Sequence, residues 1–287
     1  MTLVPVQETV YGVREALEQW RSAHPQGKVA LVPTMGALHA GHLELIGAAA
    51  RIADVVVVSI FVNPTQFAPG EDFESYPRTL QADLKALSTI AEVLLVFCPA
   101  KHEMYPPGDQ THVSVPALST PLCGQSRPHF FGGVATVVIR LLNIVMADVA
   151  VFGEKDFQQL QVIRRMAIAL HHRTEIVGVP TVREPDGLAM SSRNRYLSAQ
   201  QRLNAAAIYQ SLLNMQIAID EGQLDCAPLV EQAKATISAS GGRIDYVQIV
   251  DPQNLQIKTS VDTACRVLAA AWFGEARLID NLALSVR

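Results

Sequence analysis

The four cysteines of this chain, Cys98, Cys123, Cys226 and Cys265, form no C-x-x-C pair and stand at no metal-ligand spacing from a histidine. That argues against a disulfide framework or a thiolate metal site, and it suits thiols kept in a reducing compartment. The first ten residues lack a basic stretch leading into a long apolar one, so no signal peptide is expected. The longest apolar runs, such as Val55–Val58 with Ile60–Val62, are strand-length and too short to span a bilayer. From these absences a cytoplasmic protein with no membrane partner is expected. There is no internal repeat and no low-complexity tract. Charged residues are only 17% of the chain, 23 basic against 27 acidic, for a net charge of −4, which gives no support to a nucleic-acid partner. The remainder is rich in core-forming residues: 49% of 287 positions are hydrophobic, enough for two unequal domains.

The first half alternates strand and helix signals. Lys28–Pro33, Asp54–Val62, Ala91–Phe97, Val149–Phe152 and Glu175–Val179 read as strands, and the β-branched run at 54–62 suits a strand covered on both faces. Gly41–Ile52, Pro77–Thr89, Val134–Val145 and Asp156–His171 read as helices, the first with Leu43, Ile46 and Ala50 at helical spacing. Such alternation predicts an α/β fold built on a parallel sheet with helices on both faces, whose ligand lies beyond the carboxyl ends of the strands. After a polar loop at Arg183–Arg195, Ser198 reads as the N-cap of a helix starting at Ala199, and another helix follows at Ala227–Ser238. Strands at Asp245–Val250, Arg266–Trp272 and Arg277–Ile279 close a smaller C-terminal α+β domain. The expected domains are residues 1–182 and 183–287.

Four segments carry candidate chemistry. Pro33 to His42 (PTMGALHAGH) follows a strand and opens a helix, where backbone N–H groups attract anions. Gly36 and Gly41 permit close backbone approach, and His39 and His42, three apart, share one helical face. Two imidazoles there suit an α-phosphate and its leaving pyrophosphate. A structural turn with two surface histidines is the alternative, and a zinc site lacks a third ligand nearby. Phe61 to Phe67 (FVNPTQF) ends a strand, and Asn63 and Gln66 offer neutral groups suited to hydroxyls and a carboxylate, unless this is an ordinary Asn-Pro turn. In Gly153 to Gln159 (GEKDFQQ), Lys155 can neutralise phosphate, Asp156 can accept from a ribose hydroxyl or cap a helix, and Gln159 follows one turn later. In Met190 to Asn194 (MSSRN), two serines and Arg193 make a phosphate clamp on a loop able to close over a nucleotide, or else a plain linker. Three of the four lie at strand ends, and their joint occurrence argues for one nucleotide site.

These segments, together with GEDFESYPRTLQAD at 70–83, FGEKDFQQL at 152–160, DGLAMSSRNRYLS at 186–198 and AAWFGEARLIDN at 270–281, closely resemble the pantothenate synthetase (pantoate–β-alanine ligase) family over nearly the whole chain. The H-x-G-H element is also similar to the HIGH element of class I aminoacyl-tRNA synthetases and nucleotidylyltransferases. The resemblance implies that ATP, pantoate and β-alanine give pantothenate, AMP and pyrophosphate through a pantoyl-adenylate. It also implies Mg²⁺, a Rossmann-like N-terminal domain, a C-terminal lid over the active site and a homodimer. Carried onto matching positions, His42, His39 and Lys155 are the expected catalytic residues. The expected ATP contacts are Met35, Gly36, Ala37, Leu38, His39, Ala40, Gly41, His42, Gly153, Glu154, Lys155, Asp156, Val182, Met190, Ser191, Ser192 and Arg193. Gln66, Gln159 and Asn63 are the expected pantoate and β-alanine ligands, and Asp83 is the candidate nearest the metal.

One stretch departs from the family. Where it usually reads SRPGHFRGV, this chain has Ser126 to Val134 as SRPHFFGGV, so Gly132 stands at the arginine position, Phe130 at the histidine position and His129 at the first glycine. Arg127 and Arg193 are the candidates to supply the missing charge. The runner-up function is a nucleotidylyltransferase that adenylates a phosphorylated small molecule and stops there. It leaves Asn63, Gln66 and Gln159 unexplained. A non-catalytic nucleotide-binding module is a third reading.

Overall fold

The computed structural model describes residues 4–262 and 264–286. Six strands form one parallel sheet: β1 (Val6–Gln7), β2 (Val29–Thr34), β3 (Val55–Ile60), β4 (Val93–Phe97), β5 (Val149–Gly153) and β6 (Glu175–Val179), in the order β1-β4-β3-β2-β5-β6. Every residue of β3 is buried, as its largely β-branched run requires of a strand covered on both faces. The chain proceeds from β2 outward through β3 and β4, then returns to the other side of β2 for β5 and β6. The order therefore reverses beside β2, and a parallel sheet keeps its ligand crevice at such a reversal, beyond the carboxyl ends. The PTMGALHAGH segment leaves β2 there, and Gly153 ends the neighbouring β5.

The chain divides into two compact units: residues 1–119, 127–154 and 159–180 form the first, and residues 120–126, 155–158 and 181–287 the second. The second holds an antiparallel sheet in the order β7 (Arg243–Val250), β8 (Cys265–Phe273), β9 (Ala276–Leu284). Helices Ala207–Asp220 and Cys226–Ala239 pack their Leu212, Met215, Leu229 and Ile237 with Val247, Val267 and Phe273 of that sheet. Ser198 caps the helix Ala199–Ala205 as its sequence predicts: its Oγ accepts from Gln201 N at 3.3 Å, and Gln201 Oε1 accepts from Ser198 N at 2.9 Å. No helix among the described residues is long and apolar enough to cross a membrane.

Several boundaries differ from the sequence reading, each for a local reason. The long apolar helix begins at Phe130 rather than Val134, because Gly132 and Gly133, poor helix formers alone, are held by packing, Gly133 against the 63–66 turn and Gly132 against His112. The helix expected from Pro77 starts at Leu80, since Thr79 turns its hydroxyl to Asp83. The last strand runs on to Leu284, past Asp280 and Asn281, which read as strand breakers but are both buried and bonded. The first helix, Val10–Ala23, was not expected. Thr9 caps it by accepting from Gly12 N at 3.0 Å.

Candidate active site

The turn after β2 is strained and tightly held. Gly36 and Ala37 both have left-handed backbone, φ 78° and 52°, a conformation that disfavours a residue with a Cβ such as Ala37. Asp83, buried on the helix Leu80–Leu87, keeps it in place. Its carboxylate accepts from Ala37 N at 3.0 Å, from Leu38 N at 2.9 Å and from the Thr79 hydroxyl at 3.2 Å. The carboxylate proposed nearest a metal is thus spent on the loop. Among the described residues no group of three or more His, Cys, Asp or Glu is arranged to hold a metal ion.

The backbone donors that the sequence offered to an anion are largely taken as well. Gly36 N donates to Thr34 Oγ1 (3.1 Å), Ala37 N and Leu38 N to Asp83, Gly41 N to His39 Nδ1 (3.1 Å) and His39 N to His42 Nδ1 (3.4 Å). The consequence falls on the histidines. A ring nitrogen that accepts from a backbone N–H carries no proton, so both imidazoles are neutral with the proton on Nε2. The rings lie with centroids 4.1 Å apart and planes tilted by 37°. Two oriented imidazoles thus stand together at the helix start.

At the end of β3, Asn63 is buried and fully engaged. Its Nδ2 donates to Gly133 O (3.1 Å) and to Gln66 Oε1 (3.2 Å), while its Oδ1 accepts from the Tyr105 hydroxyl (2.7 Å), Thr65 Oγ1 (3.0 Å) and Thr65 N (3.3 Å). Gln66 Nε2 then reaches Met35 Sδ at 2.9 Å. Gly133 makes this contact possible, for a Cβ there would lie 2.3 Å from Thr65 O and 2.8 Å from Gln66 N. Arg127 grips Glu71 with two bonds of 2.6 Å, donates to Gln66 O at 3.2 Å and stacks over the Phe130 ring at 3.9 Å. The phenylalanine at the family's histidine position is thus a platform for Arg127, whose charge serves the 66–71 segment. Beside Gly132 the space is taken by His112, 2.5 Å from where a Cβ would sit. Gln159 lies half-buried on the helix that follows β5.

In the second unit, Lys155 pairs loosely with Asp156 at 3.7 Å, and its main-chain carbonyl accepts from Asn281 Nδ2 at 3.0 Å. Arg266 holds Asn281 through Oδ1 (2.7 Å) and stacks on Phe157 at 3.9 Å. The adjacent Asp280, also buried, takes a bidentate pair from Arg183 at 2.6 and 2.9 Å, with Arg183 stacked on Tyr209 at 3.6 Å. Val182 and Met190 meet directly: Met190 N donates to Val182 O at 2.9 Å. Ser191 caps the short turn Ser192–Tyr196 by accepting from Arg193 N at 3.2 Å. Arg202 clamps the same loop through Glu184 and Asp186, and its hydrogen bonds hold the Asp186 carboxyl below the usual carboxylate range.

Tyr105, Gly133, Asp280 and the structural task of Asp83 escape sequence reasoning. Tyr105 precedes Pro106-Pro107-Gly108 and carries no periodic or motif signal.

A parallel α/β fold that sets two histidines at a helix start beside its strand-order reversal is a setting suited to a nucleotide-using enzyme. The model of the pantoate–β-alanine ligase family matches residues 5–283, and the chain belongs to that family. It is 52% identical over 279 residues to the pantothenate synthetase of Pseudomonas entomophila, covering 96% of this chain and 97% of the relative. It is 49% identical over 287 residues to that of Myxococcus xanthus, covering 99% and 94%. The pantothenate synthetase structure from Thermus thermophilus superposes with a TM-score of 0.90 at 46% identity, over 97% of this chain and 99% of that one. The Francisella tularensis pantoate–β-alanine ligase, complexed with beta-gamma ATP and β-alanine, gives a TM-score of 0.80 at 34% identity over 97% of each chain.

Proposed function

We propose that this chain condenses (R)-pantoate with β-alanine at the expense of ATP, giving pantothenate, AMP and pyrophosphate through a pantoyl-adenylate. The observation that carries the reading is the pair of imidazoles held by backbone N–H groups at Nδ1, which presents two neutral donors at one helix start. A carboxylate cannot lose oxide, so its oxygen first attacks the α-phosphorus and pyrophosphate leaves. Two anions approaching to 4 Å repel by about 4 kcal/mol at an effective dielectric constant of 20, so positive or donor groups must offset this. His39 and His42 donate to the phosphoryl oxygens as charge develops, and Lys155 and Arg193 neutralise the polyphosphate.

ATP is held by residues 35–42, by Gly153, Glu154, Lys155 and Asp156, by Val182 and by Met190 to Arg193, with the C-terminal domain closing as a lid. Gln66 and Gln159 hold pantoate, Gln66 also lies close to β-alanine, and Asn63 orients Gln66. The neutral amine of β-alanine then attacks the acyl carbon and AMP departs. Mg²⁺ would supply charge neutralisation on the polyphosphate when bound. Such an ion is carried mainly by phosphate oxygens and water. The working form is a cytoplasmic homodimer, a setting that the four free cysteines suit.

The test is isotope exchange. Labelled pyrophosphate is expected to enter ATP when pantoate is present and β-alanine is absent, and AMP is expected to accumulate only after β-alanine is added. Exchange driven by a phosphorylated acceptor in place of pantoate would instead favour the nucleotidylyltransferase reading.

A further inference from the structure

The amides of Asn63 and Gln66 can each be oriented in only one way: Gly133 O and the Thr65 backbone N–H decide it, and a phenol outside every motif holds the result in place. Asn63 faces a carbonyl, Gly133 O, on one side, and a backbone N–H with two hydroxyls on the other. Turning its amide over would set its oxygen against Gly133 O and its NH₂ against Thr65 N–H. With Asn63 so fixed, its Nδ2 meets Gln66, which must answer with Oε1. The Gln66 NH₂ is left pointing to Met35 Sδ, a weak acceptor at the head of the PTMGALHAGH segment.

The strongest bond to Asn63 Oδ1 is that of Tyr105, at 2.7 Å. Thr65 Oγ1, at 3.0 Å from the same oxygen, also touches the Tyr105 hydroxyl at 3.1 Å. Tyr105 is placed with care. Arg140 lies over its ring at 4.6 Å, donates to the main-chain carbonyl of Met104 and pairs with Asp109 at 2.7 Å, which pins the turn on both sides of Tyr105. Burial pushes the phenol up from its ordinary value, so it remains a proton donor at neutral pH.

We infer that Tyr105 is a positioning residue for the hydroxy-acid substrate: acting through Asn63, it fixes Gln66 as an N–H donor toward an oxygen acceptor of that substrate, which replaces the Met35 thioether. This rests on the reading of Gln66 as a pantoate ligand. An amide free to rotate would also present its carbonyl, and a carboxylate, which only accepts, gains nothing from that face.

The experiment measures KM for pantoate and for ATP, together with kcat, in Tyr105→Phe, Gln66→Ala and the double variant, with Thr65→Val as a second probe of the same oxygen. Tyr105→Phe keeps the ring beneath Arg140 and removes only the hydroxyl. The expected result is a rise of about 3–10-fold in the pantoate KM, the scale of one hydrogen bond, with the ATP KM and thermal midpoint unchanged. Thr65→Val is expected to move the same constant in the same direction. In the Gln66→Ala background, Tyr105→Phe is expected to add nothing, which a merely structural tyrosine would not reproduce. If Gln66→Ala raises the pantoate KM but Tyr105→Phe does not, or if the two effects are additive, the relay is overturned while the role of Gln66 stands. If Gln66→Ala itself leaves the pantoate KM unchanged, the reading of Gln66 is what fails.

Discussion

Asn281 donates its side-chain amide to the main-chain carbonyl of Lys155 across 3.0 Å, joining the last strand to the turn that carries the candidate catalytic lysine. The bond grips the backbone, so it sets where Lys155 starts. The neighbouring Asp280 holds Arg183, and with it the loop that bears Val182 and Met190 to Arg193. Two adjacent residues of β9 therefore anchor two of the four segments.

The first prediction concerns that anchor. Lys155→Ala is expected to lower kcat by ~10²–10³-fold, the scale for losing one preorganised charge-stabilising group. Asn281→Ala leaves Lys155 in place but loosens its turn, and it is expected to cost about tenfold or less, consistent with a lost buried hydrogen bond. Steady-state kinetics on both variants checks the order. An Asn281→Ala enzyme as impaired as Lys155→Ala would mean that Asn281 does more than hold the turn.

The two glycines at the start of the helix Phe130–Val145 are expected to respond in opposite ways. A methyl group at 133 would meet the backbone of Thr65 and Gln66, which cannot yield without moving the turn. Gly133→Ala is therefore expected to destabilise by about 1–3 kcal/mol and to raise the pantoate KM. At 132 the obstacle is the end of the exposed His112 side chain, which can swing away. Gly132→Ala is expected to be neutral, or to gain up to about 1 kcal/mol of helix propensity. Chemical denaturation of the two variants distinguishes them.

Asp83 offers a third test. Asp83→Ala removes the acceptor for two backbone N–H groups in a turn with two left-handed residues. Leaving such donors buried costs about 1–3 kcal/mol each. The expected outcome is a lower thermal midpoint together with a higher KM for ATP. A normal midpoint with loss of Mg²⁺ dependence would instead return Asp83 to the metal.

Arg202 holds Asp186 and Glu184 at the root of the MSSRN loop, and Asp186 is depressed below the usual carboxylate range, chiefly by its hydrogen bond to Arg202. A depressed carboxylate contributes stability that is fully present above its unfolded pKa and lost as pH falls through its folded one. Each of these partly exposed pairs is worth roughly 0.2–1 kcal/mol. The stability difference between the native chain and Arg202→Ala is thus expected to be constant from pH 7 to about 5 and to shrink below about 4. A difference that grows on acidification would contradict the assignment.

Much of the fold was legible because the strands announce themselves. Val55 to Ile60 is β-branched and apolar at nearly every position, and only a strand covered on both faces accommodates that run. The motif segments were legible because they punctuate strand ends. What escaped was decided by contacts distant in sequence. Nothing local shows that Asp280 and Asn281 continue a strand, since Arg183 and Arg266 satisfy them from 97 and 15 residues away. Nothing near Asp83 shows that it holds a turn 45 residues earlier. The Tyr105 hydroxyl reaches Asn63 across 42 residues and belongs to no pattern. The histidine tautomers were hidden for another reason: H-x-G-H gives two rings on one face, but only the backbone geometry tells which nitrogen accepts.

The central claim is that a carboxylate oxygen attacks the α-phosphorus of ATP in this site. Pantoate carrying oxygen-18 in its carboxyl group, turned over with ATP and β-alanine and followed by mass spectrometry of the products, tests it directly. One labelled oxygen is expected in the phosphate of AMP and none in pyrophosphate. Label appearing in free phosphate, with ADP as the nucleotide product, would contradict it.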